Sequence, residues 1–376
     1  MRQKLFFLAF FCCSFLDLSH GHAIDLNSKQ AFLIDLTTNT VLFEKEAETP
    51  VPPSSMSKLM TAYLVFKELK AGRLMMKDHF LVSKKAWKKG GSRMFLNVNS
   101  RVSVADLLRG LIVQSGNDAA ITLAEGIMGD ESAFAEQMTR QAREMGANTS
   151  TFKNATGWPD DGHLSTMKDL AIIAQRTIQN FPEYYSLYGE TEFTYNKIRQ
   201  KNRNPLLYAN IGADGLKTGH TDVAGHGVVA SALQGGRRLI LAINGAKTKA
   251  ARSEDAKKLM AWGFTYFASP KLFNAYNTLE HADVWLGKET NVPMVIDEDV
   301  YITVPRYQLK DVSVELVYNN PIQAPVKAGQ VIGKVVIAIP GRDLIEKPLT
   351  AGRDVERAGF LTRIKAAFSY LLWGHN

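Results

Sequence analysis

The chain has 376 residues, 45% of them hydrophobic and 22% charged, which is the composition of an ordinary globular protein long enough for more than one core and excludes a disordered chain. The formal net charge of +8 fits an anionic surface or polymer as partner. It does not point to nucleic acid, because no basic stripe with interleaved aromatics appears.

The first segment reads as an address, not as structure. A basic "MRQK" precedes "LFFLAFFCCSFL", an apolar run short for a membrane span, and "GHA" ends at Ala23 with the small residues a signal peptidase cleaves after. Residues 1–23 are therefore expected to be a signal peptide. Both cysteines, Cys12 and Cys13, lie there, so the exported chain would have no disulfide and would be held by its cores alone. Removing Arg2, Lys4 and Asp17 lowers the net charge by one, to +7.

"QAFLIDLTTNTVLFEKEA" predicts two strands around a turn, and Ser57 to about Leu69 a helix preceded by Pro52 and Pro53. Helical patterns follow at about 103–128, 131–145 and 167–180. "HGVVASAL" and "RRLILAING", joined by "QGG", read as a hairpin, and "EDAKKLMAWGFTYF" as an amphipathic helix. Strands at both ends with helices between them predict one layered α+β domain over 24–268, its late strands pairing with the first ones. Beyond Pro270, "DVYITVP", "VSVELVY" and "VIGKVVIAI" alternate apolar and polar residues, which predicts a small all-β sandwich over 271–349. In the tail, 353–376, Phe360, Leu361, Ile364, Phe368, Leu371 and Leu372 share a helical face. Such a helix suits a membrane surface, with Trp373 at headgroup level and Arg353, Arg357, Arg363 and Lys365 facing anionic lipid, or else docks on its own protein.

Three Ser-x-x-Lys patterns occur: Ser55/Lys58, Ser150/Lys153 and Ser165/Lys168. On a helix this spacing brings a hydroxyl and an amine to one face. Ser165 reads as a helix cap beside Asp169, and Ser150 lies in a loop. Ser55 opens a helix apolar nearly all round, so Lys58 is carried into a buried place where a lysine loses its proton easily and can act as a base. Two motifs that each occur once accompany it: Ser115-Gly116-Asn117 after an apolar helix, and Lys217-Thr218-Gly219 entering a strand.

Ser-x-x-Lys, Ser-x-Asn and Lys-Thr-Gly in this order are the signature of penicillin-binding proteins and class A β-lactamases. From about Ala31 to the tail the chain resembles the low-molecular-mass penicillin-binding proteins that act as D-alanyl-D-alanine carboxypeptidases. "SMSKLMTAY", "RMFL", "LIVQSGNDAA", "YNKIRQKNRNPLL", "DGLKTGHTDVAG" and "KKLMAWGF" carry the likeness. The resemblance implies a transpeptidase-like domain, a β-rich second domain and a peripheral anchor on the periplasmic face of the cytoplasmic membrane. It implies peptidoglycan stem peptides as substrates, β-lactams as inhibitors, and no cofactor or metal.

It also implies roles. Ser55 attacks the carbonyl of the penultimate D-alanine, Lys58 takes its proton, and Ser115, with Lys58 or Lys217, relays a proton to the leaving amine. Asn117 binds the substrate's peptide group, Lys217 supplies positive charge, Thr218 and Arg203 receive the terminal carboxylate, and Gly219 belongs to the substrate-binding strand. The backbone N–H groups of Ser55 and His220 form an oxyanion hole, where a donor is typically worth about 3–4 kcal/mol in the transition state. "WKKGGSRMF" is expected to rim the cleft.

The E-x-x-L-N glutamate expected of a β-lactamase is missing between 118 and 216. A D,D-endopeptidase or transpeptidase, or a sensor or scaffold that is acylated without turnover, stays open. Gly225-His226-Gly227 with Ala230 fits a dinucleotide fingerprint but leads into a strand, and the eight histidines hold no His-Glu-x-x-His.

Overall fold

The computed structural model of the protein describes residues 24–362 and 364. The segment read as a signal peptide, and the tail apart from its start, lie outside them.

The two opening strands, β1 (Gln30–Asp35) and β2 (Thr40–Lys45), are followed by helix α1 (Lys58–Lys70). Helices α2 (Val104–Ile112), α3 (Asn117–Met128), α4 (Glu131–Glu144) and α5 (Met167–Asn180) come next. Strands β3 (Ala213–Thr221), β4 (Gly225–Gln234) and β5 (Arg237–Ala246) then lead into α6 (Lys249–Tyr266). The sheet runs β2-β1-β5-β4-β3 and is antiparallel at every pairing. The chain returns as expected: Phe32 of β1 sits opposite Ala242 of β5.

Both faces of this sheet are covered, so its inner strands are apolar on both sides. Phe32, Val229, Ile240 and Ala242 face a core with α1 to α5. Ala31, Leu33, Val228, Ala230, Leu241 and Ile243 face a second core with α6. The result is three layers with α1, all but buried, at the centre of the helical one.

Two readings of this region are corrected. The single helix expected over 103–128 is two, because Ser115 takes a left-handed backbone at φ 62° that ends one and starts the other. The break is held by the Gly116 N–H donating to the Gly110 carbonyl at 2.9 Å. The cap of α5 is Thr166, whose hydroxyl accepts from the Asp169 N–H at 3.0 Å. Ser165 instead lies buried against Ser150, their hydroxyls 2.8 Å apart, with Ser150 donating to Asp169.

From Lys271 to Arg357 the regular structure is β apart from one 3-10 helix, Arg306–Asp311. Six strands run side by side in the order Ser313–Tyr318, Val331–Ala338, Ile345–Ala351, Asn291–Val295, Glu280–Trp285 and Ile322–Gln323. They enclose a core of Ala282, Val292, Met294, Val335, Ile337 and Leu349. This β structure runs past residue 349. Val355 bridges to Val326 and Arg357 to Gly287, so the start of the segment expected to be helical from Arg353 is extended, and helix begins at Phe360. Among the described residues no helix is long and apolar enough to cross a membrane.

A buried ion pair lies where the two regions meet. The Asp35 carboxylate, fully buried, accepts from Arg237 Nε at 2.6 Å, from Ser269 Oγ at 2.6 Å and from Thr303 Oγ1 at 3.3 Å. Arg237 also donates to the carbonyls of Gly263 and Phe267, each at 3.0 Å.

Candidate active site

Ser55 sits in a turn of 3-10 helix, Ser54–Ser57, that opens into α1. The edge strand β3 packs along this turn. Gly219 is required there, since a Cβ on it would lie 3.0 Å from the Pro53 carbonyl oxygen and 3.1 Å from the Ser54 Cβ. Gly157 closes the other side even more tightly, at φ 75° and with a Cβ position only 1.8 Å from the Ser54 carbonyl oxygen. The Ser55 turn is thus gripped between two glycines, one per wall.

One turn on, the Lys58 side chain is 1% exposed. Its Nζ lies 3.0 Å from Ser55 Oγ, 2.7 Å from Asn117 Oδ1 and 2.5 Å from the Thr156 carbonyl oxygen. The Asn117 amide is oriented by its Nδ2, which donates to the Gly90 carbonyl at 2.8 Å. Two of the three partners of Lys58 can only accept. A neutral amine has two N–H bonds for them and one lone pair left for the Ser55 hydroxyl. Burial, with Arg203 as a second cause, lowers the Lys58 pKa from 10.5 to about 7, so the neutral form is accessible near neutrality.

The third motif adds a second buried amine. Lys217 on β3 is buried, donates to the Thr218 carbonyl at 3.2 Å, and is pushed well below its ordinary pKa by burial and then by Lys58, Arg203 and Arg252. Arg203 donates to Ser92 Oγ at 2.5 Å, two residues after the Gly90 carbonyl that holds the Asn117 amide. Neither Lys217, Arg203 nor Arg252 takes part in an ion pair among the described residues, so an arriving carboxylate meets uncompensated charge.

The structure brings Ser55, Lys58 and Asn117 into direct contact and lines Lys217, Thr218 and Gly219 along the strand beside them. Ser115 Oγ is buried without a partner, beside Asn117 in sequence, at the left-handed break between α2 and α3. His220 follows on β3, exposed, its ring stacked 3.8 Å from that of His226 on β4. Arg203 is the outermost member and reaches the site through its charge on Lys58 and Lys217.

The likeness of this arrangement to known proteins extends over nearly the whole chain. The sequence model described as D-alanyl-D-alanine carboxypeptidase matches residues 18–248. The chain belongs to the D-alanyl-D-alanine carboxypeptidase family. A second model, the C-terminal domain of penicillin-binding protein 5, matches residues 267–357. D-alanyl-D-alanine carboxypeptidase DacC of Escherichia coli (strain K12) is 38% identical over 350 residues, 91% of this chain and 88% of that relative. Penicillin-binding protein 5 from Haemophilus influenzae superposes with a TM-score of 0.78 at 36% identity, covering 89% of this chain and 99% of that one. Penicillin-binding protein D2 from Listeria monocytogenes, in its ampicillin-bound form, matches 64% of this chain and 99% of its own, with a TM-score of 0.59 at 31% identity.

Sequence reasoning missed two members of the site. Arg252 on α6 is 7% exposed, leaves its Nε buried without a partner and donates to the Arg203 carbonyl at 3.4 Å. It lies on the stripe of Asp255, Ala256, Leu259, Met260 and Gly263 that α6 buries, so its place in the helical period was the signal. Thr156 contributes a backbone carbonyl, which no side-chain motif can announce.

Proposed function

We propose that the chain is a serine-type D-alanyl-D-alanine carboxypeptidase that removes the terminal D-alanine from peptidoglycan stem peptides and is inhibited by β-lactams. The observation that carries this is the neutral-capable Lys58 amine, 3.0 Å from Ser55 Oγ, with its other two hydrogen-bond partners restricted to accepting.

Ser55 Oγ attacks the carbonyl carbon of the penultimate D-alanine as its proton passes to Lys58 Nζ. The oxyanion is held by the N–H groups of Ser55 and His220. As the C–N bond breaks, the leaving amine takes a proton from the Lys58 ammonium through Ser115 Oγ, which is otherwise unpartnered. Free D-alanine departs and leaves an ester on Ser55. Water, deprotonated by the same amine, then cleaves that ester and restores the serine. Lys217, Thr218, Arg203 and Arg252 hold the terminal carboxylate, and Asn117 the peptide group upstream of the bond. Ampicillin carries both a reactive acyl group and a carboxylate, and a relative of this fold has been solved in an ampicillin-bound form.

The catalytic unit corresponds to 24–268 and the β unit to 271–349 with its extension to Arg357. Export by residues 1–23 puts the enzyme on the periplasmic face of the membrane, where its polymer substrate lies. The segment that follows the extension to Arg357 is the peripheral anchor, its helix starting at Phe360. Phe360 and Leu361, 72% and 75% exposed, support an apolar face without a protein partner at that point.

The test is release of D-alanine from a diacetyl-Lys-D-Ala-D-Ala peptide by the chain without residues 1–23, with and without penicillin. Expected are release by the wild type, inhibition by penicillin, one added drug mass, and loss of both in Ser55→Ala. A penicillin adduct without any D-alanine would overturn the carboxypeptidase reading while keeping Ser55 as nucleophile.

A further inference from the structure

The Ser54–Ser55 peptide is held by a chain of hydrogen bonds outside the three motifs. His163, 3% exposed, packs edge-on against Phe152 with ring centroids 5.6 Å apart. Its Nδ1 accepts from the Lys153 backbone N–H at 3.2 Å, which puts the ring proton on Nε2. Nε2 lies 2.8 Å from Ser57 Oγ and so donates to it. Ser57 is left with its own hydrogen, and its Oγ donates to the Ser54 carbonyl at 2.8 Å. Every donor and acceptor along this line has one direction, and the line ends on the peptide plane that the nucleophile belongs to.

That plane needs holding. Ser54 stands at φ 51°, a left-handed conformation unusual for a residue with a side chain, immediately before the nucleophile. A trans peptide is rigid, with its N–H antiparallel to its C=O, so fixing the Ser54 carbonyl fixes the direction of the Ser55 N–H. A hydrogen bond accepted by the carbonyl also polarises the peptide and makes its N–H a better donor. Gly157 leaves the carbonyl room on its other side, where a Cβ would fall 1.8 Å from the oxygen.

We propose that His163 and Ser57 are positioning residues that act through the Ser54 carbonyl to aim and strengthen the Ser55 N–H as oxyanion donor. The inference rests on the carboxypeptidase reading given above. His163 touches no reacting atom. Its effect is confined to the tetrahedral state, where the oxyanion exists, and is absent from ground-state binding.

The experiment compares wild type with Ser57→Ala, His163→Gln, His163→Leu and the double variant Ser57→Ala/His163→Leu. It measures kcat and KM for D-alanine release, affinity for a D-alanine boronic acid that forms a tetrahedral adduct, and thermal unfolding. Expected are a kcat lowered about tenfold or more in Ser57→Ala and in His163→Leu, a part of the hundredfold that losing an oxyanion donor costs, at unchanged KM. Boronate affinity falls by the same factor, the double variant is no worse than either single one, and His163→Gln, which keeps a donor toward Ser57, recovers most of the loss. Wild-type kcat and boronate affinity in folded Ser57→Ala would overturn the inference, as would losses that follow the melting temperature instead of the chemistry. If His163→Leu fails to fold, Ser57→Ala and His163→Gln decide alone. Absence of D-alanine release from the wild type would be a failure of the carboxypeptidase reading and is told apart by that control.

Discussion

The protein buries charge in two places and treats it in opposite ways. At the junction with the β region, Asp35 is met by Arg237, Ser269 and Thr303, so a fully buried carboxylate has a cation and two hydroxyls. In the cleft, the buried Lys58, Lys217 and Arg252 gather beneath the exposed Arg203 with no carboxylate bonded to any of them, and burial drives Lys58, Lys217 and Arg252 toward their neutral forms. Buried charges are ordinarily paired, because desolvation is otherwise uncompensated. The first centre obeys that rule and carries structure. The second breaks it, and in the proposed mechanism that imbalance is what takes a proton from Ser55 and binds an anion.

The contrast breaks if Lys58 proves structural. Lys58→Ala should acylate with penicillin about a hundred to ten thousand times more slowly than wild type, the range for loss of a general base, while remaining folded. Stopped-flow or mass-resolved adduct formation reads the rate, and near wild-type acylation would remove Lys58 from its role. The same assignment fixes a pH dependence. A lysine whose pKa is about 7 is the free base above that value, so kcat/KM for D-alanine release should rise as pH increases through about 7. The folded pKa lies below the unfolded value, so the unfolded chain binds more protons between about 7 and 10.5, and the stability cost of this lysine is relieved as pH rises across that window.

Asp35→Ala is the mirror experiment. It leaves Arg237 buried and uncompensated, for which about 3–5 kcal/mol of stability is the usual cost. Denaturant unfolding should show this with kcat/KM per folded molecule unchanged, because the pair lies away from the cleft, behind the sheet that carries β3. Lost activity in folded Asp35→Ala would mean that the two centres are coupled.

The difference between the two centres also explains what could be read in advance. The sheet that returns on itself, the helices and the all-β second region were legible because apolar periodicity and turn residues record them directly. The break at Ser115 was not, since "LLRGLIVQSGNDAA" keeps a helical pattern through a residue whose backbone is set by tertiary context. The three motifs identified the cleft because what Ser55, Lys58, Asn117 and Lys217 bring to it are side chains. Thr156 acts through a carbonyl, and Ser57 and His163 through one another, so nothing in composition marks them. Arg252 was hidden for a different reason. In "KTKAARSEDAKK" it looks like one more solvated charge until the helix period is extended to Gly263.

Arg252 sharpens the comparison at smaller magnitude. Arg252→Met keeps volume and removes a buried cation beside Arg203, so a peptide with a free terminal carboxylate should lose about tenfold in kcat/KM, roughly 1.4 kcal/mol. The corresponding peptide amide, already lacking the charge, should lose far less. Equal losses for acid and amide would place Arg252 outside the anion site.

The smallest effect is the most direct test of the principle. Lys217 Nζ donates one hydrogen bond, to the Thr218 carbonyl, and is otherwise surrounded by cations and burial. Replacing it with Met, of similar length, removes the desolvation and the repulsion while forfeiting one weak bond. Lys217→Met should therefore be more stable than wild type by roughly 1 kcal/mol, even as its D-alanine release collapses, because function and stability draw on this charge in opposite directions. The gain should be larger at pH 6 than at pH 9. Its folded pKa is pushed well below its unfolded one, so the unfolded chain binds more protons and the cost of burying this lysine shrinks as pH rises toward the unfolded value. Equal or lower stability of Lys217→Met at both pH values would show that the cleft's cations are compensated after all, and that they do not differ in kind from the pair at Asp35.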